Sequence, residues 1–262
     1  DVGVKALSKG LGSLKNLADV HLDFTGCHSV GDAGVKAVGD SLGSLRNLTS
    51  VHLNFSKTLG ARCQAVGDVG VEAVGQGLRS STNLAQVHLN FYGCHAVGDA
   101  GVTAVSEGLG LSKNLTTLSL NFHSCHAVGD LGVKALGESL GSLQKLTSVD
   151  LEFHRCHALG DLGVNAVGEG LRSSMNLFAV HLGFCDCSVG KVGAEALGRH
   201  LRALPELARL SCAGFDRPIW GFGRSDVVKE LQAFCGLPAS NPRRTGGEVA
   251  SRGACRCECV CS

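Results

Sequence analysis

The sequence is short of proline, aromatic residues, methionine and tryptophan, and it has no excess of charge of either sign. Four prolines occur in 262 residues, and none precedes Pro205. Glycine, at 37 residues, is about twice its usual share, yet without proline this is neither a collagen nor a low-complexity signature. Aromatic residues at 5% leave no stacking platform for single-stranded nucleic acid. Lys plus Arg number 24 against 23 Asp plus Glu, a formal charge of +1. The basic excess of a nucleic-acid binder is therefore missing. No apolar run approaches the roughly 20 residues that span a bilayer, so no membrane partner is expected. The first residue is Asp1, not Met, so the lack of a signal peptide carries no information. Hydrophobic residues at 44% are ample for a core.

What is present is repetition. An Asp before the tripeptide x-G-V falls at Asp1, Asp32, Asp68, Asp99, Asp130 and Asp161, and Lys191 takes its place in a seventh copy. The spacings are 31, 36, 31, 31, 31 and 30 residues, the long one arising from extra residues in the loop after Phe55. Each copy carries L-x-x-(V/L)-x-L-x-F, as in Leu84, Val87, Leu89 and Phe91. The alternation predicts a strand with one buried face. Downstream, Val102, Val105 and Leu109 are spaced as the apolar stripe of a short helix. Asp99 stands where an N-cap is expected. A unit of strand, loop, helix and return cannot bury its apolar face alone, whereas stacked copies make one continuous core. The expected domains are repeats over residues 1–216, with units starting near 1, 32, 68, 99, 130, 161 and 191. A capping segment with a short helix is expected at 217–238 and a disordered Cys-rich tail at 239–262.

The L-x-x-L-x-L pattern followed by G-x-x-x-(L/V)-x-x-x-L resembles the leucine-rich-repeat family, specifically its ribonuclease-inhibitor-like type. The resemblance implies an α/β solenoid or horseshoe, with parallel strands on the concave face and helices on the convex one. Two departures stand out. The period is about three residues longer than the family's usual 28, and Tyr92, His123 and His154 occupy the register where an Asn is expected. Phe91 and Cys94 are expected to fill the space of the missing Asn ladder. The resemblance further implies a protein-binding platform acting on another protein. Its alternatives are a regulatory module of a GTPase activator or NOD-like receptor, and a structural spacer in a longer array.

Chemistry is harder to find. Cys27, Cys63, Cys94, Cys125, Cys156 and Cys187 recur once per unit and read as a column of buried free thiols, which fits a cytoplasmic, reducing compartment. Stacked copies present parallel Cβ vectors, so disulfides between neighbours are not expected. His95, His126 and His157 follow the cysteines and are expected to stack about 5 Å apart. The Cys/His pairs suggest zinc, but adjacent residues in one loop point apart, so no metal site and no cofactor is assigned. No nucleotide-binding glycine loop, nucleophile elbow or nucleophile–base pair is present, so no catalytic residue is assigned and an enzyme is not expected. The candidate binding residues are those facing outward from the strands: His21, Asp23, His52, Asn54, Gln86, His88, Asn90, Ser119, Asn121, Asp150, Glu152, Phe178 and His181. Phe178 is the one aromatic anchor among them. The terminal Cys259-Val260-Cys261-Ser262 fits C-a-a-X, but Cys at the second aliphatic position is atypical, and a membrane anchor is not the preferred reading.

Overall fold

The computed structural model describes residues 1–57 and 66–213. The expected capping segment at 217–238, the tail at 239–262 and Cys63 lie outside the described residues. Among the described residues seven helices, α1 (Val2–Leu11), α2 (Asp32–Leu42), α3 (Asp68–Leu78), α4 (Asp99–Leu109), α5 (Asp130–Leu140), α6 (Asp161–Leu171) and α7 (Lys191–Arg202), alternate with seven strands. The strands are β1 (Asp19–Asp23), β2 (Ser50–Asn54), β3 (Gln86–Asn90), β4 (Thr117–Asn121), β5 (Ser148–Glu152), β6 (Ala179–Gly183) and β7 (Arg209–Ala213). They form one parallel sheet in sequence order, each strand paired with the next.

The inward strand residues and the helical stripes meet in one core. Val51, Leu53, Val87, Leu89, Leu118 and Leu120 from the sheet pack with Val71, Val74, Val102 and Val105 from the helices, all at most 2% exposed. Packed helices need 8–10 Å between axes, and strands about 4.8 Å. The sheet is accordingly the inner, concave side. Glycine narrows the helical side: a Cβ on Gly75 would run into the backbone of Ala104 in the next helix. Ser106 stands at the matching position of α4 and is fully buried.

The phenylalanine after each of β1 to β6 explains how the solenoid closes without an Asn ladder. Phe24, Phe55, Phe91, Phe122, Phe153 and Phe184 stack ring on ring, with neighbouring centroids 5.3, 5.7, 5.6, 5.8 and 6.2 Å apart. Burying one such ring contributes about 2–3 kcal/mol before ordering entropy is subtracted. The cysteines complete this layer. The thiols of Cys94, Cys125, Cys156 and Cys187 donate to the carbonyls of Phe55, Phe91, Phe122 and Phe153 in the preceding unit, at 3.5, 3.4, 3.2 and 2.9 Å. Phe91 and Cys94 thus fill the expected space. The cysteine column is interrupted at its start, because Cys27 is exposed. It sits in the first unit, where no described neighbour covers it.

The Asp ladder has a different role from the one its position suggests. The N-caps of α2 to α6 are glycines (Gly31, Gly67, Gly98, Gly129 and Gly160), each Asp is the first helical residue, and none makes a side-chain cap bond to its own helix. Each carboxylate instead reaches the following unit. Asp32 Oδ1 accepts the N–H groups of Gly67 and Gly70, Asp68 those of Gly98 and Gly101, Asp99 those of Gly129 and Gly132, and Asp130 those of Gly160 and Gly163, at 2.7–3.0 Å. Gly70, Gly101, Gly132 and Gly163 are third helical residues, whose amides have no partner within their own helix. The Asp therefore caps its neighbour's helix. Lys191 replaces it in the last described unit, where no further described helix follows.

Candidate binding face

The strand pairing arranges the outward side chains in three rows across the sheet. The middle row runs His21, His52, His88, Ser119, Asp150, His181. A second runs Asp23, Asn54, Asn90, Asn121, Glu152, Gly183, and Gln86 stands in the third, level with Thr117 and Ser148. All the candidate strand residues thus share one surface. Phe178 lies just before β6, 46% exposed, with the guanidinium of Arg209 5.4 Å from its ring centroid.

The two halves of this face differ. In the N-terminal half, the His21 and His52 rings stack at 4.1 Å and those of His52 and His88 at 5.5 Å. Burial, reinforced by His21 and His88, holds His52 below its usual pKa of 6.5. The Asn row is partly committed to structure. Asn54 Oδ1 accepts the Ser56 N–H at 3.1 Å, Asn90 that of Tyr92 at 2.9 Å, and Asn121 that of His123 at 2.9 Å. These are side-chain-held turns that end each strand. Tyr92, His123 and His154, in the register of the missing Asn, form an edge-to-face ring column at 4.6 and 5.3 Å. The separate stack of His95, His126 and His157 is present as expected, with centroids 4.9 and 5.1 Å apart. Each of these rings holds, through Nδ1, a carbonyl of the next unit: Ser124, Arg155 and Asp186.

Unit five breaks both outward rows with carboxylates. Glu152 replaces the turn-holding Asn and reaches across to histidines: its Oε1 accepts from His181 Nε2 at 2.5 Å, and its Oε2 lies 2.7 Å from His154 Nε2. His154 Nδ1 accepts the Cys185 N–H at 2.8 Å, which puts the proton of a neutral His154 ring on Nε2, facing Glu152. Burial alone would raise the Glu152 carboxyl, but His154 and His181 outweigh it and bring its pKa from 4.5 to about 2. The Glu152 hydrogen bond raises His181 against the effect of burial. Asp150 is raised by burial, which exceeds the help of His181 and of Ser119, whose hydroxyl donates to Asp150 Oδ2 at 3.1 Å. Gly183 leaves the room: a Cβ there would strike Glu152 Oε2. Asp150, Glu152 and His181 bring ligating atoms within 4.8 Å of one another. Sequence reading placed these three on the face without recognising that they converge. The signal available was that Asp150 and Glu152 depart together from the His/Ser and Asn of units two to four.

Beside this cluster an open depression of about 440 Å³ is lined by Ser148, Asp150, Ala179, His181, Arg209 and Ser211, among others. One of similar size, about 450 Å³, lies on the helical side between α3 and α4 and is edged by the Arg79–Glu107 ion pair at 3.2 Å. A further exposed feature, not anticipated, is apolar. Val69, Leu131, Leu162 and Val192, each the second residue of its helix, are 59–74% exposed. No helix among the described residues is long and apolar enough to cross a membrane.

Residues 20–39 match the family model described as Leucine Rich repeat. No curated protein matches the sequence. Among solved structures, the yeast Rad7–Elc1 complex shows similarity at 15% identity over 86% of this chain and 70% of that chain, with a TM-score of 0.29. Among the described residues, seven parallel strands alternating in register with seven helices have the fold of a leucine-rich-repeat solenoid.

Proposed function

We propose that the chain is a non-enzymatic protein-binding scaffold that recognises another protein with its concave strand face. The observation that carries this reading is the depression at β5–β7, lined by Asp150, His181 and Arg209, with the Arg209 guanidinium over the ring of Phe178. Interface hot spots are built this way, from an aromatic or Arg residue flanked by groups that exclude water. The thiols of Cys27, Cys125 and Cys156, which form no disulfide, support a reducing, cytoplasmic setting as part of the same proposal.

The exposed apolar row of Val69, Leu131, Leu162 and Val192 favours a second reading, in which the solenoid is held in a larger assembly by the edge where its helices begin. Affinity capture with the full chain distinguishes the two. Phe178→Ala and Gln86→Ala on the concave face are compared with Leu131→Glu with Leu162→Glu on the edge, and with Lys134→Ala on the helical side. Partners lost only with the concave variants support the proposal. Partners lost only with the edge variants overturn it in favour of the second reading. Partners unchanged by both overturn both.

A further inference from the structure

We propose that Asp150, Glu152 and His181 form a binding site for a divalent transition-metal ion of the zinc class, oriented by His154 and Ser119. No such site was expected from the sequence. Three independent features of the structure point to it.

The first is the donor set. An imidazole nitrogen and two carboxylates sit with ligating atoms within 4.8 Å of one another. Tetrahedral zinc, with bonds of about 2.0–2.1 Å, needs ligand atoms about 3.3 Å apart, so only small side-chain rotations are required. Mixed imidazole and carboxylate ligands suit zinc and its neighbours. Calcium and magnesium prefer all-oxygen shells. Three protein ligands leave a fourth position facing the open depression.

The second is unmet demand. Asp150 Oδ1 is buried without a hydrogen-bond partner, and Glu152 Oε2, also buried, has only His154 Nε2 beside it at 2.7 Å. Buried polar groups are nearly always satisfied, and the Asp150 oxygen left without a donor beside a second carboxylate calls for a cation. Other contacts orient the two carboxylates from outside. The Ser119 hydroxyl holds Asp150 Oδ2. His154, itself fixed by the Cys185 N–H, stands beside Glu152 Oε2. Ligating carboxylates and histidines commonly have such supporting partners. Metal binding would take His181 in its neutral form with Nε2 free of its proton, so that proton is released to solvent as the ion enters.

The third is the internal control that the repeats provide. The middle row carries His or Ser in the first four units, and the neighbouring row carries Asp or Asn. Among the described units, only unit five carries a carboxylate in both of these rows, and only unit six sets a glycine, Gly183, opposite Glu152, where a Cβ would occupy the recess. Both changes cost the fold something. Glu152 gives up the turn that Asn121 makes in the preceding unit, and a glycine weakens a strand interior.

The test uses the full chain and zinc chloride, with Co2+ as a spectroscopic substitute. The double variant Asp150→Ser with Glu152→Asn gives unit five the outward residues that unit four already carries at Ser119 and Asn121, so it is expected to fold. Wild type should bind one more equivalent of Zn2+ by equilibrium dialysis than this variant. Wild type should also show a chelator-reversible rise in Tm that the variant lacks. Bound Co2+ should give d–d absorption from this site without a thiolate charge-transfer band, which separates it from ions taken by cysteines. Equal Zn2+ stoichiometry in the two proteins, or only thiolate-bound Co2+, overturns the proposal. His181→Gln should lose the same equivalent, and its retention would also count against the site.

Discussion

Replacing Asp99 with Ala should damage the unit that follows it, not its own. Asp99 Oδ1 accepts the Gly129 N–H at 2.7 Å and the Gly132 N–H at 2.9 Å. Both amides would lose a charged acceptor in a part-buried setting. A hydrogen bond to a charged group contributes about 1.5–3 kcal/mol, and deletion of a helix cap costs about 0.5–2 kcal/mol. Water can reach the site partly, so the two bonds together should be worth about 2 kcal/mol, roughly 30-fold in the folded-to-unfolded ratio. In a solenoid this loss falls on the interface between neighbouring units, here four and five. Urea unfolding gives the magnitude and amide hydrogen exchange gives the location. Gly129 and Gly132 should lose protection. Gly101, whose N–H is held by Asp68 Oδ1 at 2.9 Å, should keep it. Asp99→Asn keeps an acceptor without the charge and should recover about half of the loss. A cost below about 0.5 kcal/mol, or protection lost at Gly101 while Gly129 and Gly132 are unaffected, would refute capping across units.

Three further outcomes are expected. Phe122→Ala removes a fully buried ring from the middle of the phenylalanine column and should cost about 3–5 kcal/mol, with Leu120→Ala costing about 2–5 kcal/mol; urea melts showing less than about 1 kcal/mol for both would undo the strand register. His52 and His123 are both held below the usual 6.5, chiefly by burial and then by neighbouring histidines. The unfolded chain therefore binds more protons once pH falls below 6.5, and this contribution to stability declines from there toward their folded values. His181 acts in the opposite direction: its raised value gives stability that is complete below 6.5 and fades as pH rises through its folded pKa. Urea melts of His52→Gln should show a shallower acid-side slope, and an unchanged slope would contradict the assignment. Burial raises the Cys125 and Cys156 thiols well above their usual range, so peptide mapping after brief native alkylation should find Cys27 modified and Cys125 and Cys156 protected. Equal labelling of all three would mean that the phenylalanine–cysteine layer opens readily.

The sequence by itself determined the repeating unit and its inward face. A strand period of two and a helical stripe of Val102, Val105 and Leu109 are local patterns, and repetition at a near-constant spacing forces equivalent residues to stack. That is why the Phe and Cys columns, the His95–His126–His157 stack and the outward rows were legible before any coordinates. What lay beyond the sequence depended on which atoms of one unit meet the next. Asp99 looks like a cap for its own helix because the neighbouring amides it holds are 30 and 33 residues away, and only the offset between stacked helices brings them to its carboxylate. Asn90 and Asn121 looked like free binding groups until their side chains proved to hold the turns that follow. Asp150, Glu152 and His181 appeared as three interruptions on a polar face. They become one cluster because parallel pairing sets Asp150 beside His181 and Glu152 beside Gly183, and the missing Cβ of that glycine lets the Glu152 carboxylate lie between two histidines. The repeat fixes what stacks. Side-chain reach and the space left by a neighbour, which exist only in three dimensions, decide what meets.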